Sequence, residues 1–179
     1  MLGVTGGVAA YKAVDLASKL TQAGAQVRTV LTESACKMVT THSFEAVTRG
    51  DVYTIMWNDS TEHNAAHISL ADWADVAVIA PATADIIGKI AGGICDDLLS
   101  TAACACWQKP WVIAPAMNER MWDNPAVQRN ISFIRQLGWE LAGPETGHLA
   151  CGTEGIGRMT QPESILDLIN KIAGEIKNR

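Results

Sequence analysis

The run Val76-Ala-Val-Ile-Ala80 is apolar at every position and rich in β-branched residues. A strand with one wet face alternates apolar and polar residues, so a run without alternation belongs to a strand covered on both faces. Parallel sheets meet that condition, because their crossover helices cover both sides. Trp111-Val-Ile-Ala114 is a second such run, and it stops at Pro115, which has no N–H for a central ladder. Two strands of this kind require helices on two faces from the rest of the chain.

The flanking residues supply them. Residues 1–4 read as a first strand. Thr5-Gly6-Gly7 follows, then a helical pattern through Val8, Ala9, Val14, Leu16, Ala17 and Leu20 that Gly24 ends. Residues 25–31 read as strand, 35–46 as helix, 51–57 as strand or extended segment, and 58–64 as a polar loop. Ile68, Leu70 and Trp73 mark a short element packing inward, with His67 at its start. The strand at 76–80 leads to helices over 86–91 and 96–106, separated by Gly92-Gly93. Asn124-Pro125 opens a helix to Leu137, with Pro at its first position. Residues 139–142 read as strand, 143–159 as an irregular glycine-rich loop, and 164–176 as the last helix. Strands alternating with helices predict an α/β fold: a three-layer, Rossmann-like (flavodoxin-like) doubly wound, mostly parallel sheet with helices on both faces. No linker or repeat divides the 179 residues, so 1–179 is expected to be a single domain.

The net charge of −5 argues against nucleic-acid and anionic-membrane partners. No apolar run reaches the length of a membrane span, and no basic segment with a cleavable apolar stretch opens the chain. A cytoplasmic protein is expected. Cysteines number five, an odd count without C-x-x-C spacing, so neither a disulfide framework nor a zinc site is expected. Cys36, Cys95, Cys104 and Cys106 read as buried, unreactive thiols. His63 and His67 share an i, i+4 spacing but lack an H-E-x-x-H pattern and a third ligand, so no metal site is expected.

Ligands of open α/β sheets bind beyond the carboxyl ends of the strands. Several such ends here carry suitable chemistry. Gly6, Gly7 and Val8 form a glycine turn at a helix start, which suits a phosphate. The glycines do not make G-x-G-x-x-G, and Glu33 is the sole acidic candidate for a ribose, so a mononucleotide is favoured over NAD. Thr32, Glu33 and Ser34 follow the second strand, where Ser34 can cap a helix or meet a ligand. Thr83, Ala84, Asp85 and Ile86 follow the 76–80 strand, and Thr83 or Asp85 can cap the next helix. Ala116, Met117 and Asn118 follow Pro115. Asn118 offers a donor and an acceptor between Met117 and Met121, and it also suits a helix cap. Together these ends predict a nucleotide or flavin site at one edge of the sheet.

Six ordered motifs carry a resemblance. They are the stretch from Gly3 to Lys12, His67-Ile-Ser-Leu with Trp73-Ala-Asp75, Ala80-Pro-Ala-Thr-Ala-Asp85, Lys89-Ile-Ala-Gly-Gly93, the stretch from Ala114 to Met121, and Leu149-Ala-Cys-Gly152 leading to Gly157-Arg-Met159. With these the chain resembles the homo-oligomeric flavin-containing cysteine decarboxylases. The resemblance implies FMN bound by Gly6, Gly7, Val8, Thr32, Glu33, Ser34, Thr83, Ala84, Asp85, Ile86 and Ala116. It implies His67 as catalytic base, Asn118 as holder of the substrate carboxylate, and Cys151 as proton donor on a flexible flap at about 143–160. Met117, Met121 and His148 complete the implied substrate contacts. The implied reaction turns 4′-phosphopantothenoylcysteine into 4′-phosphopantetheine for coenzyme A biosynthesis. The thiol end is oxidised to a thioaldehyde, decarboxylation gives an ene-thiol, and reduced flavin reduces it. The alternatives are a peptidyl-cysteine decarboxylase that releases the ene-thiol, and a non-catalytic regulatory flavoprotein subunit. The implied assembly is a homotrimer or homododecamer with sites at subunit interfaces, and the implied partner is a fused or separate phosphopantothenate–cysteine ligase.

Overall fold

The structure, a computed structural model, describes residues 1–57 and 66–177. The strands β1 (Leu2–Val4), β2 (Thr29–Leu31), β3 (Val52–Tyr53), β4 (Ala77–Ala82), β5 (Trp111–Pro115) and β6 (Glu140–Leu141) form one sheet in the order β3-β2-β1-β4-β5-β6. Every pairing in it is parallel. The chain winds outward from β1 in one direction, then returns to β4 and winds in the other. The strand order therefore reverses between β1 and β4, and a crevice opens there beyond the carboxyl ends.

The continuous apolar runs are explained by two cores. Ala77, Ile79, Trp111 and Ile113 point to one face, and Val78, Ala80, Val112 and Ala114 to the other. The first face packs against α4 (Ala66–Trp73), α5 (Ala84–Gly92), α6 (Leu98–Ala105) and α8 (Pro125–Gln136), through Leu70, Ile86, Ile87, Leu99 and Ile131. The second packs against α1 (Ala10–Gln22), α3 (Thr41–Thr48) and α9 (Pro162–Lys177), through Leu16, Leu20, Phe44, Ile165 and Ile169. The stripe of Ala13, Leu16, Ala17 and Leu20 on α1 follows the helical repeat that carries such a face. Trp111 and Trp139 stack with ring centroids 4.6 Å apart, tying β5 to the approach to β6. No helix among the described residues is long and apolar enough to cross a membrane.

The α/β architecture agrees with the sequence reading, and several local expectations are corrected. The helix expected over 35–46 is two: α2 (Glu33–Cys36) and α3, because the chain leaves the helix after Cys36 and restarts at Thr41. Thr32, not Ser34, caps α2, its hydroxyl accepting from the Ala35 N–H at 3.2 Å. The strand expected over 25–31 shortens to β2. The glycine-rich stretch 143–159 is not irregular. It holds the antiparallel hairpin β7 (Glu145–His148) and β8 (Glu154–Arg158). Ile68 does not point inward but is exposed, and Trp73 is half-buried with the Arg28 guanidinium 4.5 Å over its ring. Cys106 alone of the four thiols expected inside is buried; Cys36, Cys95 and Cys104 are exposed. All five cysteines are free. The stretch 58–64, expected as a loop, lies outside the described residues, and His63 with it.

Candidate active site

A cavity of about 790 Å³ opens at the point where the strand order reverses. Its floor is built from strand ends. After β1 the chain turns sharply, with the Gly7 N–H on the Thr5 carbonyl at 2.8 Å, and enters α1. Gly6 must be bare: a Cβ there would lie 2.3 Å from the Ser34 Cβ. The turn is pinned to β4 by Thr5, which is only 2% exposed. Its hydroxyl donates to the Pro81 carbonyl at 2.7 Å and accepts from the Thr83 N–H at 3.2 Å. One side chain thus holds the first turn against the start of α5.

The helix caps differ in a way that suits an anionic ligand. The helices α2, α6 and α8 begin with a side-chain oxygen from Thr32, Asp97 and Asn124 accepting from their first turns. The helices α1 and α5, whose N-termini border the cavity, begin without one, as does α3 elsewhere. First-turn N–H groups have no acceptor inside their own helix, and they carry the positive end of its dipole. In α1 the Ala10 and Lys12 N–H groups bind the Gly7 and Ala9 carbonyls, so the Tyr11 N–H and the first turn of α5 are the donors left for the cavity. These donors, with the crowded Gly6 turn, fit the phosphate of a mononucleotide.

Past β5, the Ala116 N–H binds the Ala82 carbonyl at 3.0 Å, and the Met117 N–H binds the Gly157 carbonyl at 3.0 Å. The second bond fastens the hairpin to the Asn118 loop. Gly157 is the position that permits it. Its φ is +147°, and a Cβ there would lie 2.1 Å from the Met117 carbonyl oxygen. Asn118 caps α7 (Glu119–Trp122), its Oδ1 accepting from the Arg120 N–H at 2.9 Å. Its Nδ2 donates to Cys151 Sγ at 3.1 Å. The two sequence readings of Asn118, cap and ligand group, are therefore compatible: one end of the amide holds the helix and the other faces the cavity.

Cys151 sits in the connection between β7 and β8, and is exposed. Its sulfur lies 3.1 Å from the Thr153 hydroxyl. The Thr153 hydroxyl and backbone, helped by the Asn118 amide, hold the thiol below its ordinary pKa, because each stabilises the thiolate. Such a thiol gives up its proton more readily than an ordinary cysteine. His148, Met117 and Met121 line the same cavity, as do Thr83, Ala84 and Ala116.

Other expected site residues lie elsewhere. Ser34 packs against Gly6 without lining the cavity. Thr32 and Glu33 line a second cavity of about 440 Å³, beside Trp57, Asp96 and Asp97. Asp85 points to Lys89 at 3.3 Å. Ile86 is buried in the core, so any ligand contact it makes falls to its backbone. His67 is half-buried on the first turn of α4 and lines neither cavity. The structure also supplies residues that motif reading did not assign. Thr5 is one. Lys12 and Arg158 are two more, both lining the first cavity. Lys12 donates to the Met159 carbonyl at 3.1 Å. Burial pushes its ammonium below the usual range, and Arg158 adds repulsion. Both residues fall inside quoted motifs, but no spacing rule brings them together.

A parallel sheet wound outward from a central crossing, with helix starts and a thiol-bearing hairpin around one crevice, defines a Rossmann-type ligand-binding protein. Residues 1–174 match the Flavoprotein family, and the chain belongs to it. It is 49% identical over 171 residues to the coenzyme A biosynthesis bifunctional protein CoaBC of Bacillus subtilis (strain 168), covering 96% of this chain and 42% of that protein. The chain thus spans about two fifths of the length of the curated relatives it matches. Among solved structures it is similar to a cysteine-to-serine mutant of PPC decarboxylase complexed with pantothenoylaminoethenethiol, at 36% identity and a TM-score of 0.86, covering 97% of this chain and 96% of that one. It is also similar to the FMN binding protein AtHal3, at 37% identity and a TM-score of 0.82, covering 96% and 94%.

Proposed function

We propose that this chain binds FMN and decarboxylates 4′-phosphopantothenoylcysteine to 4′-phosphopantetheine, a step of coenzyme A biosynthesis, in the cytoplasm. The observation that carries the reading is the Asn118–Cys151–Thr153 cluster at the cavity built on the Gly6 turn. Similarity to an FMN binding protein and to a PPC decarboxylase supports the cofactor and the substrate. Bound FMN supplies two-electron redox chemistry at the substrate's thiol end, which makes loss of CO₂ feasible.

The chain's own residues bind, orient and move protons. The start of α1 with Gly6, Gly7 and Val8 would hold the cofactor phosphate, and Thr83, Ala84 and Ala116 would border its ring. Asn118 Nδ2 is a fixed donor for the substrate carboxylate. Its other end is committed to α7, which sets its orientation. Met117 and Met121 give that end of the cavity apolar walls, and His148 adds a polar contact. The Cys151 sulfur delivers a proton from Sγ to carbon, aided by its lowered pKa. A ligand seated beneath the hairpin tip that bears it would be partly shielded from water.

His67 is the proposed base. It lines neither cavity of the single chain, and Ile55, Trp57 and Ile68 are exposed apolar residues. Both observations favour a homo-oligomer, a trimer or four trimers, in which sites are completed at subunit interfaces. The relative named bifunctional has room for a second activity, and a phosphopantothenate–cysteine ligase, fused or separate, would supply the substrate. Cys151 separates this reading from a peptidyl-cysteine decarboxylase, which needs no proton donor for a reduced product. In Cys151→Ser, CO₂ release is expected to continue while 4′-phosphopantetheine formation falls and an ene-thiol accumulates. Undiminished phosphopantetheine formation, followed by mass spectrometry, would reject the assignment.

A further inference from the structure

We propose that Arg158 anchors the phosphate monoester at the far end of the substrate and so sets a preference for phosphorylated over unphosphorylated substrate. This rests on the decarboxylase reading and adds a subsite to it. The chain carries a net charge of −5, yet the charged side chains lining the first cavity are Lys12 and Arg158, and no carboxylate among the described residues lines it. A cavity of opposite sign to its protein selects anions. Lys12 spends a donor on the Met159 carbonyl. Arg158 has donors to spare: its nearest carboxylate, Glu145, is 3.7 Å away, and its Nε is buried without a partner. An unpaired guanidinium N–H shut off from water costs stability, and a fork of donors matches phosphate oxygens in pairs.

The placement is fixed from both sides. Arg158 follows Gly157, whose carbonyl is tied to the Met117 N–H. Across the hairpin it lies over Gly147, where a Cβ would come within 3.0 Å of its Nη1. The guanidinium is thereby held on the hairpin stem, whereas Asn118 and Cys151 attend the reacting end. Under the reading above, the Gly6 turn is taken by the cofactor phosphate. A substrate with a carboxylate at one end and a phosphate at the other then meets a distinct receptor at each.

The test compares kcat/KM for 4′-phosphopantothenoylcysteine with that for pantothenoylcysteine, in FMN-loaded protein. For wild type the ratio should favour the phosphorylated compound, and Arg158→Gln should reduce that ratio by about 10- to 100-fold, chiefly through KM. An unmoved ratio, with both substrates losing equally, would mean a structural role and overturn the proposal. Glu145→Gln frees the guanidinium from its competitor and should raise the ratio; a ratio that stays put or falls there also overturns it, even where Arg158→Gln does not fold. Wild type that turns over both compounds without preference refutes the Arg158 subsite alone. Wild type that turns over neither refutes the decarboxylase reading, and the subsite with it.

Discussion

Thr5→Val should loosen the floor of the site without changing its shape. Valine fills nearly the same volume, so the change removes a hydroxyl and leaves little void. That hydroxyl donates to the Pro81 carbonyl at 2.7 Å and accepts from the Thr83 N–H at 3.2 Å. Pro81 is buried, so its carbonyl gains no water in exchange, and such a loss costs about 1–3 kcal/mol. Thr83 is half-buried at the cavity edge, and water there recovers most of its bond. The expected net loss is about 2 kcal/mol, a fall in Tm of roughly 4–8 °C for a chain of this length. The same change frees the Gly6 turn from α5, so FMN affinity should weaken as well. Calorimetry of the FMN-free protein and quenching of flavin fluorescence read the two effects separately. Thr5→Ser, which keeps the oxygen, should recover most of both. A Thr5→Val protein that melts within about 1 °C of wild type and binds FMN equally well would refute the clamp.

Two further perturbations address the hairpin. Gly157→Ala puts a Cβ onto the Met117 carbonyl in a left-handed backbone. It should detach β8 from the Asn118 loop at a cost on the order of 2–4 kcal/mol, read as faster amide exchange at Met117; unchanged exchange would show that the docking is incidental. Thr153→Val removes the first cause of the low Cys151 pKa, so the pKa should rise. At a given neutral pH less thiolate is then present, and alkylation of the Cys151 peptide should slow, with its half-point moved to higher pH. An unmoved half-point would assign the lowered pKa to another neighbour.

The sheet was legible because its evidence is local and continuous. Residues 76–80 and 111–114 are apolar without alternation, and burial on two faces is what that pattern means. The break between α2 and α3 was hidden because Val39 and Phe44 keep an apolar rhythm across it; only the restart at Thr40 marks it. The hairpin was hidden for the opposite reason. Glu145–His148 and Glu154–Arg158 are polar and glycine-rich, and the buried positions of the second strand are Gly155 and Gly157, which carry no apolar side chain to reveal it. They pair through backbone bonds and dock through Gly157, a position whose bareness has meaning only beside Met117. Asn118 and the Gly6 turn were readable from their place after strands. Thr5 was not, since its partners at Pro81 and Thr83 are more than seventy residues away. Lys12 and Arg158 vanish into the average charge of an acidic chain, and only the fold brings them to one wall.

The two uncapped helix starts, with Lys12 and Arg158, also link ligand supply to survival. In the unfolded chain these positive groups are far apart and hydrated; folding gathers them. An anion that binds the folded state alone shifts the folding equilibrium by RT ln(1 + [L]/Kd), about 2.7 kcal/mol at a hundredfold excess over Kd. The same excess lowers the unfolded fraction about a hundredfold, and with it the exposure to proteases that attack unfolded chains. If the proposed anionic ligands bind there, how long a molecule of this protein lasts in a cell is set partly by how much of them the cell keeps.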